Sequence, residues 1–408
     1  MNASGLRRRE ISVNPTKELL AVKNFVFSNP TRIIFGQGSI AELSKYAPPG
    51  ARILMTYGRG SIKRNGVYDQ VRKALEGFIV FEFGGIESNP RYETCLKAVD
   101  IVRKQGIDFL LAVGGGSVLD ATKFIALAAC YTESDDPWDF VTGHKAGPRR
   151  AIPIGSVMTL PAAGSEMNSG LIISRESTRE KLGYSSYQVY PKFSILDPQV
   201  TYSLPPQQAV NGIVDTFVHV LEQYITYPSY APLQDRQAEA LLATIIEEAP
   251  KVLTDPQNYE VRATLMWCAT QAQNGVINRG VPQDWTTHGI GHEITAIYGL
   301  DHAATLAIVL FGLWENQFDN KMLKLAQYGR RIWNLSGHDD IVARNAISQT
   351  EAFFESMGIP TRFSGYGLDG IDVAEKVSTR FMERGLKGMG EHQSVGIEQI
   401  RAILVSRA

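Results

Sequence analysis

The hydrophobic pattern of the chain changes period at Pro205-Pro206, and that change restricts the fold more than any other feature. Before it, short apolar runs at 51–58, 78–83 and 108–113 alternate with stretches of helical spacing. Val67, Val71, Ala74 and Leu75 form one stripe in 65–76, and Cys95, Ala98, Val99 and Val102 form another in 91–105. A third helical stretch covers 117–130. Strands separated by helices cannot pair as hairpins, so they call for crossover connections and a parallel sheet covered on both faces. Two short strands around an Asn-Pro turn are expected in 24–36, a helix in 39–46, and further strands in 152–159, 170–174 and 193–197. Beyond the proline pair only helical periodicity remains, at 207–226, 233–248, 258–275, 283–297, 302–316, 321–334, 340–357 and 371–384. The expected architecture is an α/β N-terminal domain with a parallel, Rossmann-like sheet over 23–205 and an all-α C-terminal domain over 206–408. Residues 1–22 carry Arg7-Arg8-Arg9 but no apolar signal-peptide core, and read as a loosely held extension.

Composition narrows the function. The chain has 408 residues, a net charge of −1 and 20% charged residues of mixed sign, which argues against a surface for nucleic acid. No apolar run is long enough to span a bilayer. Cys95, Cys130 and Cys268 lie far apart with no Cys-x-x-Cys, the usage of a reducing compartment. The expectation is a cytoplasmic protein acting on small molecules, with neither nucleic acid nor membrane as partner.

The helical half holds the densest chemistry. Of the seven histidines, His288, His292 and His302 fall within one short segment. His288 and His292 are spaced i, i+4, which puts both imidazoles on one helix face. Upstream, Asp215 and His219 repeat that spacing inside an apolar helix containing Ile213, Val214, Phe217, Val218, Val220 and Leu221. A carboxylate buried among such residues needs a cation or strong donors. A divalent metal meets both needs, and the mixed nitrogen and oxygen donors suit zinc, iron(II) or manganese. His292-Glu293 is followed by Ile294, Thr295 and Ala296, so no His-Glu-x-x-His motif exists. The residues alone leave open which of the three downstream histidines bind.

Two glycine turns mark the other half. Gly114-Gly115-Gly116-Ser117-Val118-Leu119-Asp120 lies between a strand and a helix, and Gly58-Arg59-Gly60-Ser61 follows an earlier strand. Glycine lets backbone approach a ligand, and a helix N-terminus offers free N–H groups to phosphate. The spacing is not Gly-x-Gly-x-x-Gly, so the usual dinucleotide fingerprint is absent. Both turns fall at carboxyl ends of strands, where open parallel sheets bind ligands. Arg59 and Ser61 suit a ribose 2′-phosphate better than a free 2′-hydroxyl.

Together these residues resemble the metal-dependent, iron-type (group III) alcohol dehydrogenases, in the butanol dehydrogenase and NADPH-dependent aldehyde reductase branch. The likeness rests on Gly-Gly-Gly-Ser-Val-Leu-Asp at 114–120, Thr-Leu-Pro-Ala-Ala-Gly-Ser-Glu at 159–166, Asp-x-x-x-His at 215–219, and His288, His292 and His302. It implies an active site between the two domains. It implies Asp215, His219, His288 and His302 as ligands of one zinc or iron ion, with His292 beside the nicotinamide and available as a proton relay. It implies Gly115, Gly116, Ser117 and Asp120 at the pyrophosphate, Thr159 and Ser165 around the nicotinamide half, and Lys181 on the cofactor side. Gly58, Arg59, Gly60 and Ser61 then face the adenosine end. The implied cofactor is NADP(H), with NAD(H) also admitted, the substrate a small alcohol or aldehyde, and the assembly a homodimer. Two positions depart from close relatives: Ala163 stands where Thr is common, and Arg59 replaces a Gly of the NADPH-preferring members. A polyol or glycerol-type dehydrogenase of the same superfamily is the alternative, disfavoured because no basic cluster flanks 285–310.

Overall fold

The computed structural model describes residues 20–408. Among the described residues there are ten strands: β1 (Leu20–Ala21), β2 (Arg32–Phe35), β3 (Arg52–Tyr57), β4 (Ile79–Phe83), β5 (Phe109–Gly114), β6 (Ile154–Met158), β7 (Gly170–Arg175), β8 (Glu180–Ser185), β9 (Phe193–Leu196) and β10 (Ser229–Tyr230). Six of them form one sheet in the order β2-β9-β6-β5-β3-β4, every pair parallel. The chain runs from β3 outward to β4, then crosses back over β3 to β5 and continues to the other edge through β6 and β9. The strand order therefore reverses between β3 and β5, and in open parallel sheets that reversal opens a crevice at the carboxyl ends. Gly58 and Gly114 sit at those two ends.

Burial on both faces explains why the strands read as continuous apolar runs. Along β5, Leu110 and Ala112 join the core beneath the helices Tyr92–Gln105 and Gly116–Ala128. Phe109, Leu111 and Val113 point the other way, onto Ile40, Leu43, Val67 and Val71. Each fully buried Leu or Val of this kind contributes about 1.5–3 kcal/mol relative to exposure.

The helical half wraps around the helix Pro206–Tyr224, which begins on a proline at its first position and is buried at every residue from Gly212 to Tyr224. The helices Pro232–Thr254, Tyr259–Gln273 and His302–Asn316 pack against it. A second apolar cluster joins Thr286–Tyr298 and His302–Asn316 to Gly370–Glu383 and Ile397–Val405.

Several sequence expectations shift. Residues 24–28 form no strand: among the described residues nothing pairs with them, and Phe25, Val26 and Phe27 are exposed. The segment 39–46 is a turn of 3₁₀-helix followed by a single α turn, because Gly38 enters it in the left-handed region at φ 73°. The strand-like 170–174 is half of an antiparallel hairpin whose second strand, β8, was not anticipated. The helix Ile397–Val405 was not anticipated either. Of the segment 1–22 read as an extension, residues 1–19 lie outside the described residues, while Leu20 and Ala21 pair with Ser229 and Tyr230.

Candidate metal centre and nucleotide cleft

Asp215 and His219 occupy successive turns of the buried helix Pro206–Tyr224, so both side chains leave it on one face. His288 lies in the first turn of Thr286–Tyr298, and His302 opens the next helix. Gly299, left-handed at φ 71°, ends the first of these helices and reverses the chain. Gly291 lets the two helices close: a Cβ there would stand 2.8 Å from Thr305 Oγ1. Asn211 Nδ2 donates to Asp301 Oδ2 at 3.0 Å and fastens the start of the His302 helix to the Asp215 helix.

The side chains converge on Asp215 Oδ1. His219 Nδ1 is 3.5 Å from it, His288 Nε2 3.8 Å and His302 Nε2 3.9 Å. Donor atoms of Asp215, His288 and His302 all lie within 4.8 Å of one another. His219 joins at the Asp215 edge, its ring stacked on His288 at 4.6 Å between centroids. Ligands about 2.0–2.1 Å from a cation stand roughly 3–3.5 Å apart, so a small contraction brings the donors into coordination range. Asp215 Oδ1, His219 Nδ1, His288 Nε2 and His302 Nδ1 are buried without a hydrogen-bond partner. Such orphaned atoms are rare unless an ion or water completes them. The donor set therefore fits a divalent cation of borderline hardness. His292 stands beside the cluster, with its ring centroid 5.1 Å from that of His302 and 6.0 Å from that of His288.

Electrostatics separates the histidines. Burial pushes His219 down to about 4. Burial, reinforced by the nearby Lys181 ammonium, pushes His292 and His302 far below the ordinary imidazole range. Burial also works against a charged His288, but Glu222 and Asp215 overcome it and raise that imidazole to about 9. Burial would push Asp215 up; His219, His288 and Lys181 instead hold its carboxyl below the usual range. Three of the four rings are thus neutral and present lone pairs, the form a cation binds.

Across the gap, β5 ends in the glycine turn, and Gly115 stands as N-cap of Gly116–Ala128. Side chains are excluded here by contact. A Cβ on Gly114 would meet Val118 Cγ2 at 2.5 Å, one on Gly115 would meet Leu160 at 3.1 Å, and one on Gly116 would meet Ala163 at 3.2 Å. The same segment 160–163 touches the metal side. A Cβ on Gly212 would fall 2.4 Å from the Pro161 carbonyl, and Thr216 donates to the Ala162 carbonyl at 3.1 Å. One short segment thus spaces the glycine turn from the Asp215 helix.

The remaining nucleotide-side residues divide by partner. Ser117 donates its hydroxyl to the Ser88 carbonyl. Asp120 accepts from Ser165 Oγ at 2.7 Å and from the Ile172 amide at 3.0 Å. Lys123, 0% exposed, donates to Ser165 O and Oγ, Asn168 Oδ1 and Gly170 O, so Asp120 and Ser165 belong to a buried network that stiffens the turn. The Thr159 amide donates to the Gly114 carbonyl at 3.0 Å. Gly58, Gly60 and Ser61 form the turn after β3, with Gly60 left-handed at φ 98° and Arg59 exposed.

Lys181, on β8, is buried and donates to Asn89 Oδ1 at 3.0 Å. Burial lowers its ammonium to about 8, partly offset by the charges of Asp215 and Asp120. Its hairpin is anchored at both ends. Ile172 holds Asp120, and Arg380 Nη2 donates to the Arg179 carbonyl while Arg380 Nε binds Glu293 at 2.7 Å.

Sequence reasoning passed over Glu222, Glu293 and Lys123. Glu222 is buried, accepts the His288 amide at 3.1 Å and pairs with His288 Nδ1. Its signal was present: Asp215, His219 and Glu222 fall at i, i+4 and i+7, one face of one helix.

Residues 30–198 match the family described as iron-containing alcohol dehydrogenase, and residues 209–407 match the C-terminal domain of the Fe-containing alcohol dehydrogenase family. The NADPH-dependent aldehyde reductase YqhD of Escherichia coli is 53% identical over 383 residues, 94% of this chain and 99% of that one. A probable NADH-dependent butanol dehydrogenase of Bacillus subtilis is 41% identical, with 94% of this chain and 99% of that one covered. The crystal structure of Escherichia coli YqhD superposes with a TM-score of 0.93 at 52% identity, covering 95% of this chain and 100% of that one. That of NADH-dependent butanol dehydrogenase A from Thermotoga maritima superposes with 0.90 at 35% identity, with the same coverage.

Proposed function

The chain belongs to the iron-containing alcohol dehydrogenase family, and from that premise we propose that it is an NAD(P)-linked, metal-dependent oxidoreductase interconverting small primary alcohols and aldehydes, with NADP(H) favoured. The observation that carries the reading is the convergence of three imidazole nitrogens, His219 Nδ1, His288 Nε2 and His302 Nε2, on the buried Asp215 Oδ1, across a short spacer from a side-chain-free glycine turn. Those four residues hold one divalent ion, iron or zinc. Gly115, Gly116, Ser117 and Asp120 form the pyrophosphate turn; Thr159 and Ser165 line the nicotinamide half, with Lys181 on the cofactor side; and Gly58, Arg59, Gly60 and Ser61 take the adenosine ribose. Two domains divided near 205, a homodimer and a cytoplasmic location complete the proposal.

When bound, the cation polarises the carbonyl and the reduced nicotinamide supplies hydride. The residues do the rest. The spacer 160–163 fixes the separation of the two binding regions, which keeps reacting atoms in register. Lys181 places positive charge beside the position where the carbonyl oxygen gains electron density. His292, held neutral, gives up a proton only as it takes another from water, so it acts as a relay and not as a store.

The test is turnover. Purified protein reconstituted with zinc or iron(II) should oxidise NADPH in the presence of butanal, faster than it oxidises NADH, and lose activity on chelation. No consumption of either nicotinamide across a panel of short aldehydes would overturn the proposal.

A further inference from the structure

One buried acidic group behind the candidate centre is not used by the reading above. Glu222 lies at i+7 from Asp215 and i+3 from His219, on the face that carries both. Its Oε2 pairs with His288 Nδ1, and its Oε1 accepts the His288 backbone N–H at 3.1 Å. Among the described residues, no other side chain hydrogen-bonds this carboxylate. Its side chain is 2% exposed, and a carboxylate so buried is tolerated only if its partners compensate.

The geometry points to Glu222 as a positioning residue for the centre: it keeps one proton of His288 on Nδ1, so that Nε2, which faces Asp215, is the nitrogen left for a cation to take. The inference rests on His288 being a ligand. With Nδ1 committed to Glu222, Nε2 faces Asp215 Oδ1 at 3.8 Å and has no hydrogen-bond partner. A carboxylate on the far nitrogen also makes an imidazole a stronger donor toward a cation. The grip on the backbone N–H adds orientation, because it fixes the first turn of the helix from which the ring departs. His302, which also faces Asp215 through Nε2, is not held this way: its Nδ1 is buried without a partner. The pair is itself supported. The Asp284 amide donates to the Glu222 carbonyl at 2.8 Å, and Asp284 binds Lys321 at 2.8 Å, which also binds Glu391 at 2.9 Å. Glu391 thus ties the loop after Gly370–Glu383 to the segment preceding the His288 helix.

Glu222→Gln keeps the size and lets an amide N–H donate to Nδ1, which drives the ring proton onto the metal-facing nitrogen. Zinc affinity measured by chelator competition should fall about 10–100-fold, and the visible absorption of the cobalt(II)-loaded protein should change. Glu239→Gln, at another buried carboxylate of the helical half, should leave both unchanged. In zinc-loaded wild-type protein, nitrogen NMR of labelled histidine should show His288 protonated at Nδ1; this readout needs no variant to fold. Unchanged zinc affinity in Glu222→Gln, or a bare Nδ1 in the wild type, would overturn the inference. His288→Ala separates the two levels. If it loses zinc while Glu222→Gln does not, only the positioning role fails; if it keeps zinc, the ligand assignment fails and the positioning role goes with it.

Discussion

The two halves of the molecule build their parts of the site by opposite means. The glycine turn works by omission: Gly114, Gly115 and Gly116 bring backbone where a Cβ would clash with Val118 or crowd Leu160 and Ala163. The helical half works by provision: Asp215, His219, His288 and His302 carry specific donor atoms into a buried space and leave them without partners. An omitted side chain is damaged by adding atoms, a provided one by removing or neutralising them. The difference predicts which substitutions harm one region and spare the other.

The largest effect is expected from Asp215→Asn. It removes the charge on which the imidazoles converge, and turnover should fall by about 10³-fold or more, the several kcal/mol that Lewis-acid stabilisation supplies. Elemental analysis should show the ion gone while NADPH still binds, as measured by nicotinamide fluorescence. Gly116→Val is the mirror experiment. Added methyls press toward Ala163, and the NADPH dissociation constant should rise about tenfold to a hundredfold, or about 1.4–2.8 kcal/mol, with metal content unchanged. Loss of metal in Gly116→Val would break the comparison, because it would show that segment 160–163 transmits damage between the regions. Arg59→Asp acts at the rim of the nucleotide half. The ratio of kcat/KM with NADPH to that with NADH should drop about tenfold, the size of one lost charge-assisted phosphate contact, and an unchanged ratio would remove Arg59 from the phosphate site.

The smallest effect concerns the support behind the helices. Burial disfavours charge on both Asp284 and Glu391, but Lys321 holds Asp284 down to about 2, while Asp284's own charge adds to burial in pushing Glu391 up to about 7. As pH rises from about 4.5 to about 7, the unfolded chain releases the Glu391 proton while the folded chain keeps it. The unfolded state then binds fewer protons, so this group makes stability fall with rising pH. Glu391→Gln should flatten that slope by about 1–3 kcal/mol over the window, measured by urea unfolding at several pH values. A slope identical to wild type would show that Glu391 does not carry the buried proton.

Legibility followed the same division. Asp215 and His219 stood out because charged or ring donors at helical spacing are conspicuous among Val, Ile and Phe; His288, His292 and His302 stood out only as a group, and the choice of His288 and His302 came from the family resemblance. The parallel sheet was legible because both-face burial leaves uninterrupted apolar runs such as 109–113. Glu222 shares the face of Asp215 and His219 by spacing, but a lone Glu near the end of a helix looks like an exposed residue, and only the fold shows it under His288. β8 was not legible: Glu180 and Lys181 are poor strand formers, and the pairing that makes them a strand comes from β7. The apolar residues 25–27 misled in the other direction, since hydrophobicity marks a strand only where a neighbour offers its backbone. The spacing also could not choose among His288, His292 and His302, because helix periodicity orients a ring without saying what stands opposite.

The hairpin β7–β8 carries a mechanical implication. It is pinned to the glycine-turn helix through Asp120 and Ile172, and to the His288 helix through Arg179, Arg380 and Glu293. Lys181 rides on it between these anchors. A gauge bolted at both ends sets a gap that neither wall can alter alone. In the site as proposed, the reach from coenzyme to carbonyl is therefore written into the chain before either ligand arrives, and any breathing of the cleft wide enough to spoil it must first tear an anchor loose.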